Sequence, residues 1–144
     1  MIAVDANLLV LAHREDLPWH ERAWVKLAEL AEGRAPWAIP WPCLHEFLAI
    51  VTHPRILAPP TPPEVAFDQV QAWLESPSLV LLAESGGYWD LLRPALAAGQ
   101  AEGATVLDAR VAAICRLHGV RELWTADRDY GRFPLVPVSN PLVG

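Results

Sequence analysis

Apolar residues in this chain fall into two patterns: short unbroken runs, and longer stretches in which they recur every three or four positions. The runs predict strands buried on both faces of a parallel sheet, and the periodic stretches predict helices. Residues 1–4 form the first run, which passes directly into Asp5. A second run, residues 8–11, follows so closely that the chain must turn sharply into a helix with Asp5 or Asn7 near its amino terminus. Residues 18–34 read as an amphipathic helix with Ala23, Trp24, Leu27, Leu30 and Ala31 on its apolar side, Pro18 in its first turn and Gly33 at its exit. The segment 37–40 is a short strand candidate that its prolines demote. A helix that Pro42 can open then runs to about Thr52 and carries Glu46.

The Pro-rich segment 58–63 is a rigid connection. It closes on Thr61-Pro62-Pro63-Glu64, which has capping-box spacing and opens a helix whose Ala66, Val70, Trp73 and Leu74 share a face. The run 79–83 predicts another buried parallel strand. Ser85 is placed to cap the helix after it, with Trp89, Leu92 and Leu96 on one side and Pro94 set to kink or split it. Residues 105–118 describe a well-buried helix that carries Asp108 in its first turn and that Gly119 ends. Two more strands are predicted, 122–126 ending at Asp127 and 135–138 before the tail. Strands alternating with helices place the chain in the α/β class, with a parallel sheet covered on both faces.

A length of 144 residues fits one domain, spanning 1–144, with one core. At 53% hydrophobic and 19% charged residues the chain is too apolar for disorder. No apolar run approaches the roughly 20 residues that span a bilayer, so no membrane association is expected. The chain opens on strand-like residues with no room for a signal peptide, which predicts a cytoplasmic location. Cys43 and Cys115 lie in helical patterns without metal-ligand spacing and read as buried reduced thiols. The net charge of −6 argues against nucleic-acid binding through a broad basic surface, although a local basic patch or a bound cation reverses that. The only Lys is Lys26, which excludes a P-loop. The five His form no metal motif, and most of the seven Trp, notably Trp24, Trp73 and Trp89, are assigned to core packing.

Candidate chemistry lies in the acids. Asp5 ends the first strand, Asp127 ends a later one and Asp108 opens a helix that leads back into the sheet, so all three should face one sheet edge, where open α/β sheets bind ligands. Glu46 is the fourth, a carboxylate among almost wholly apolar neighbours. Each acid also has a structural reading: Asp5 as a cap, Asp108 as the partner of Thr105 in a capping box, Asp127 and Asp129 in a turn, Glu46 reaching to solvent. Four such coincidences have no reason to fall at one edge. Carboxylates packed together raise one another's pKa, and a hard divalent cation, Mg²⁺ or Mn²⁺, resolves the repulsion with oxygen ligands. Phosphodiester hydrolysis is the chemistry this suggests. Arg128 and Arg132, in the same terminal loop as Asp129, could meet the nucleic-acid backbone.

The ordered set Val4-Asp5-Ala6-Asn7, His45-Glu46-Phe47, Val106-Leu107-Asp108-Ala109 and Thr125-Ala126-Asp127-Arg128-Asp129-Tyr130 resembles the PIN domain, in particular the VapC-like toxins of type II toxin–antitoxin pairs. The resemblance covers essentially the whole chain, including Thr52-His53-Pro54-Arg55-Ile56 and Asn140-Pro141-Leu142. It implies a PIN-like three-layer sandwich, with a central parallel five-stranded sheet flanked by helices. It implies a metal-dependent endoribonuclease in which Asp5 and Asp108 contact Mg²⁺, with Mn²⁺ the other candidate. Glu46 and Asp127 would complete the catalytic pocket, with Asn7 and Thr125 supporting by hydrogen bonds and Asp129 more peripheral. It further implies an RNA substrate, homodimerisation and a cognate antitoxin. Ala6, Tyr130 and Pro94 depart from the family's usual residues without removing a carboxylate. The competing reading is a catalytically inactive PIN-like protein-interaction module. A dehalogenase-like phosphatase would need a second Asp where this chain has Asn7, and a receiver domain would need a late Lys.

Overall fold

Five short strands, Ile2–Val4 (β1), Trp37–Pro40 (β2), Leu79–Leu82 (β3), Glu122–Trp124 (β4) and Val138–Ser139 (β5), pair in the order β3-β2-β1-β4-β5, every pairing parallel. The structure is a computed structural model that describes residues 1–143. Between the strands run Ala6–His13 (α1), His20–Glu32 (α2), Trp41–Val51 (α3), Pro63–Leu74 (α4), Tyr88–Ala98 (α5) and Thr105–Leu117 (α6). A 3₁₀ turn, Arg128–Arg132, lies between β4 and β5.

The chain lays β1, β2 and β3 outward in one direction, then returns to the free side of β1 for β4. Right-handed crossovers turn this reversal into a change of face. α1 to α4 pack with one another as one layer, and α5 and α6 pair as the other. The reversal also leaves a crevice between β1 and β4 at the carboxyl ends of the strands. Asp5 and Thr125 stand directly after those two strands.

Strand order corrects two expectations. β2, demoted on account of its prolines, is an interior strand with all four residues buried; Pro40 is its last residue, where a missing N–H costs least. β3, whose unbroken apolar run reads as fully buried, is an edge strand with Val80 39% exposed. Composition alone cannot distinguish these two, because only the crossovers decide which strand ends at the rim. Similarly, Trp24 and Trp89 are exposed, and only Trp73 of the three lies in the core, edge-on to Phe47.

Several local signals are satisfied elsewhere. α2 begins at His20, two residues beyond Pro18. Thr61 does not cap α4; its hydroxyl accepts from Arg14 Nη1 and pairs with His13 Nε2, bracing α1 against the Pro-rich connection. Ser85 gives α5 no side-chain cap. Pro94 leaves α5 continuous because it lies on the exposed side, where the carbonyl it cannot serve meets water. β4 stops at Trp124, short of Asp127, and the last strand is Val138–Ser139 rather than 135–138. Gly119, at φ +67°, supplies the left-handed residue that ends α6.

Candidate active site

Asp5 caps α1: its Oδ1 accepts from the Ala6 backbone N–H at 2.8 Å. The cap is one of four donors it receives. Cys43 Sγ donates to the same oxygen at 3.4 Å, while Thr125 Oγ1 and Asn7 Nδ2 donate to Oδ2 at 2.8 and 3.3 Å. A carboxylate offers about four lone-pair sites, so Asp5 is saturated. Burial nevertheless dominates and pushes its pKa up, against the lowering by Thr125, Ala6 and Cys43.

Thr125 ties the crevice together. Besides donating to Asp5, its hydroxyl accepts from Asn7 Nδ2 at 3.0 Å and from the Asp127 N–H at 3.0 Å. Asn7 Oδ1 in turn accepts the Ala126 N–H at 3.1 Å, and Asp127 Oδ1 accepts the Asp129 N–H at 2.8 Å. Asn7 and Thr125 thus carry the loop after β4 onto the start of α1. The turn made by Asp127 presents Asp129.

Asp108 reaches this cluster from the first turn of α6. Its capping-box reading fails: Thr105 spends its hydroxyl on the backbone N–H and carbonyl of Glu102, and the N-cap Ala104 has no side-chain bond. Partial burial first, then the charges of Asp127, Asp5, Asp129 and Glu46, push its pKa up to about 6. Burial, Asp5 and Asp127 likewise raise that of Glu46, which projects from α3. Asp108, Asp127 and Asp129 can bring carboxylate oxygens within 4.8 Å of one another. Asp5 lies outside that triple, whereas Asp129, expected to be peripheral, belongs to it. Among the described residues, no ion pair involves any of these five acids.

The two arginines of the terminal loop are not brought together. Arg128 lines a shallow cleft with Asp127, Ser139 and Asn140, and Arg132 lines another beside Gly99, Gln100 and Glu102. Two residues beside the acids were given no part in the site by the sequence. Cys43, set aside as a mere buried thiol, touches Asp5; the available signal was its position three residues before Glu46 on one helix. Tyr130 is buried behind the acids, and its burial, followed by the charge of Asp5, holds the phenol un-ionised.

No family model matches the chain. It is 33% identical over 144 residues to the ribonuclease VapC43 of Mycobacterium tuberculosis, covering 100% of this chain and 97% of that protein. It is 29% identical over 140 residues to the ribonuclease VapC48 of the same species, covering 97% of each. Its fold is similar to that of VapBC2 from Rickettsia felis bound to a DNA fragment from its promoter, with a TM-score of 0.68 at 19% identity, covering 97% of this chain and 98% of that one. It is also similar to VapC20 of M. tuberculosis, a sarcin-ricin loop cleaving toxin, with a TM-score of 0.68 at 14% identity over 91% of this chain and 93% of that one. An all-parallel five-stranded sheet, an acid-lined crevice at its switch point and full-length identity above 30% agree: this chain belongs to the VapC family of PIN-domain ribonucleases.

Proposed function

We propose that this protein is a Mg²⁺-dependent endoribonuclease, with Mn²⁺ able to substitute, and that its acids hydrolyse RNA phosphodiester bonds until a cognate antitoxin restrains them. The observation that carries this reading is the acid cluster: three carboxylates within 4.8 Å and a pKa pushed up to about 6 at Asp108, with no ion pair to any of these acids among the described residues. An all-oxygen donor set of this charge fits a hard divalent cation. Asp108, Asp127 and Asp129 would hold it. For Asp5 to join as a ligand, one of its two long donors, Asn7 Nδ2 or Cys43 Sγ, must give way. When bound, the cation supplies charge neutralisation at the phosphate and a water of lowered pKa.

The protein's own groups do the positioning. Thr125 and Asn7 fix Asp5 and the backbone of residues 126–127 in one frame, so that the carboxylates need little rearrangement as a phosphate arrives. Glu46, exposed and raised in pKa, is suited to take a proton from an attacking water at its carboxylate. Arg128 offers a guanidinium to the backbone beside Asp127.

Relatives whose structures are toxin–antitoxin complexes, VapBC2 and FitAB, support the antitoxin partner. A cationic partner side chain would compete with the metal, because an Arg fork matches a carboxylate bidentately. Homodimerisation rests on the family resemblance. The inactive-module reading gains no support, since every acid it would need to lose is in place. Incubating the pure protein with structured RNAs in Mg²⁺, Mn²⁺ or EDTA tests the proposal; cleavage that is absent with either metal, or equal in EDTA, overturns it.

A further inference from the structure

The crevice does not stop at the acids. Between α3 and α6 a trough of about 340 Å³ continues from them, walled by Pro42 and Ala49 on one side and by Leu107 and Val111 on the other. Glu46 belongs to both: its carboxylate faces the acidic cluster and lines the trough. Leu107, 61% exposed, directly precedes Asp108. Arg110, held by Glu84, and His45 also line it, the His45 ring set 6.0 Å from that of Trp41 and tilted by 34° to it. None of these groups has a part in holding the acids together.

The chemistry of the trough selects its occupant. Its size is that of a small-molecule site. Apolar walls and the His45 ring suit a flat π-face, the Arg110 guanidinium held by Glu84 suits stacking or an acceptor edge, and the Glu46 carboxylate accepts from an amino or imino edge. A phosphate would meet the charge of Glu46. A peptide strand would find one acceptor and one cation for its row of backbone groups. A nucleobase satisfies every wall.

We propose that the α3–α6 trough is a base-binding subsite that receives an unpaired nucleobase adjoining the scissile phosphate. The proposal rests on the ribonuclease reading, because the acids fix where the phosphate sits. A base in a duplex is stacked on both sides and reaches the trough only by unstacking, so the subsite favours bulges, loops and single strands over helices.

The test pairs a substrate change with a protein change. Short single-stranded RNAs carrying one abasic nucleotide on either side of the cleaved bond are compared with the intact RNA, using wild type, Ala49→Trp, which fills the trough, and Leu107→Ala, which removes a wall from an exposed position. In wild type the abasic nucleotide on one side raises KM tenfold to a hundredfold, the usual worth of one stacked base. In Ala49→Trp the intact RNA suffers a similar rise and the abasic change adds nothing, the mark of a direct contact. Leu107→Ala gives an intermediate loss and serves if Ala49→Trp does not fold. An abasic penalty equally large in wild type and both variants overturns the subsite, as does an unchanged KM throughout. Binding of the same RNAs to Asp108→Asn protein, followed by fluorescence anisotropy, separates the two readings. Abasic-sensitive binding without wild-type cleavage overturns the ribonuclease and keeps the subsite, whereas cleavage without such sensitivity overturns the subsite alone. Unchanged RNA kinetics with weakened antitoxin affinity in Ala49→Trp assigns the trough to a protein and also overturns the proposal.

Discussion

Thr125 donates its hydroxyl to Oδ2 of Asp5 across 2.8 Å, although the two residues stand 120 positions apart in the chain. The bond joins the ends of β1 and β4, the two strands between which the sheet reverses direction. Replacing Thr125 with the isosteric Val removes three hydrogen bonds at once, with Asp5 Oδ2, Asn7 Nδ2 and the Asp127 N–H; the first two groups keep only each other, at 3.3 Å, and the N–H is left without a partner. Thr125→Val therefore lowers stability by about 1–3 kcal/mol, the usual cost of buried polar groups left unpaired. It also reduces cleavage, while Thr125→Ser keeps most of both. Urea unfolding of the three proteins measures the first effect, and equal midpoints for Val and wild type would contradict it.

Asp5→Asn and Asp108→Asn both abolish metal-dependent RNA cleavage, but they move stability in opposite directions. At Asp108 amidation removes a charge that burial and neighbouring carboxylates oppose, so the metal-free protein becomes more stable. At Asp5 the side chain accepts four donors, and an amide must turn its own NH₂ against two of them, so stability falls. Metal-free melting curves that shift the same way for both variants would show that charge crowding alone governs the site.

The raised acids also set the direction of pH dependence. Asp108 carries a folded pKa of about 6 against an ordinary 3.8, so between those values the native state binds more protons than the unfolded chain. Stability contributed by this group therefore rises as pH falls from about 7 towards 4, and is lost as pH rises through 6. Asp5 and Glu46, both raised, act in the same sense. Asp16 and Glu84 are lowered by Arg14 and Arg110 and act oppositely, chiefly below their ordinary values. The comparison to make is wild type against Asp108→Asn in EDTA; if the stability difference between them does not narrow between pH 7 and 5, the assignment fails.

Mg²⁺ or Mn²⁺ raises the unfolding temperature, because an ion held only by the assembled acids stabilises the native state by mass action, about 2.7 kcal/mol at a hundredfold excess over its dissociation constant. The gain should vanish in an Asp108→Asn, Asp127→Asn double variant, which dismantles the triple. A wild-type melting temperature that saturating metal leaves unmoved would count against a preformed site.

Much of this site was legible in the sequence because strand ends are strong signals. An unbroken apolar run followed by an acid marks both the strand and the edge at which the acid emerges, as at Val4-Asp5. Less legible was anything decided by partners distant in the chain. Thr61 and Thr105 have the spacing of helix caps, but one braces His13 and Arg14 and the other bonds Glu102. β2 and β3 changed places between interior and edge because order in a parallel sheet belongs to the crossovers. Trp24 and Trp89 sit on apolar helical stripes but are left exposed where α2 packs on α1 and α5 on α6. The family resemblance implied a more peripheral Asp129, and nothing local shows that the turn at Asp127 brings it near Asp108.

The wide spacing of the acids has a consequence for synthesis on the ribosome. Asp5 and Glu46 leave early, but Asp108, Asp127 and Asp129 emerge much later, and β4, which Thr125 follows, cannot join β1 before then. A nascent chain shorter than this carries two of the five acids and no closed crevice, so the proposed activity predicts that it leaves the surrounding RNA intact. Under the proposed function cleavage waits for that second group of acids, and a cognate antitoxin made beforehand has the interval in which to be waiting. A ribosome-stalled chain ending at Gln100 should cleave nothing; cutting by that chain would show that Asp5 and Glu46 suffice.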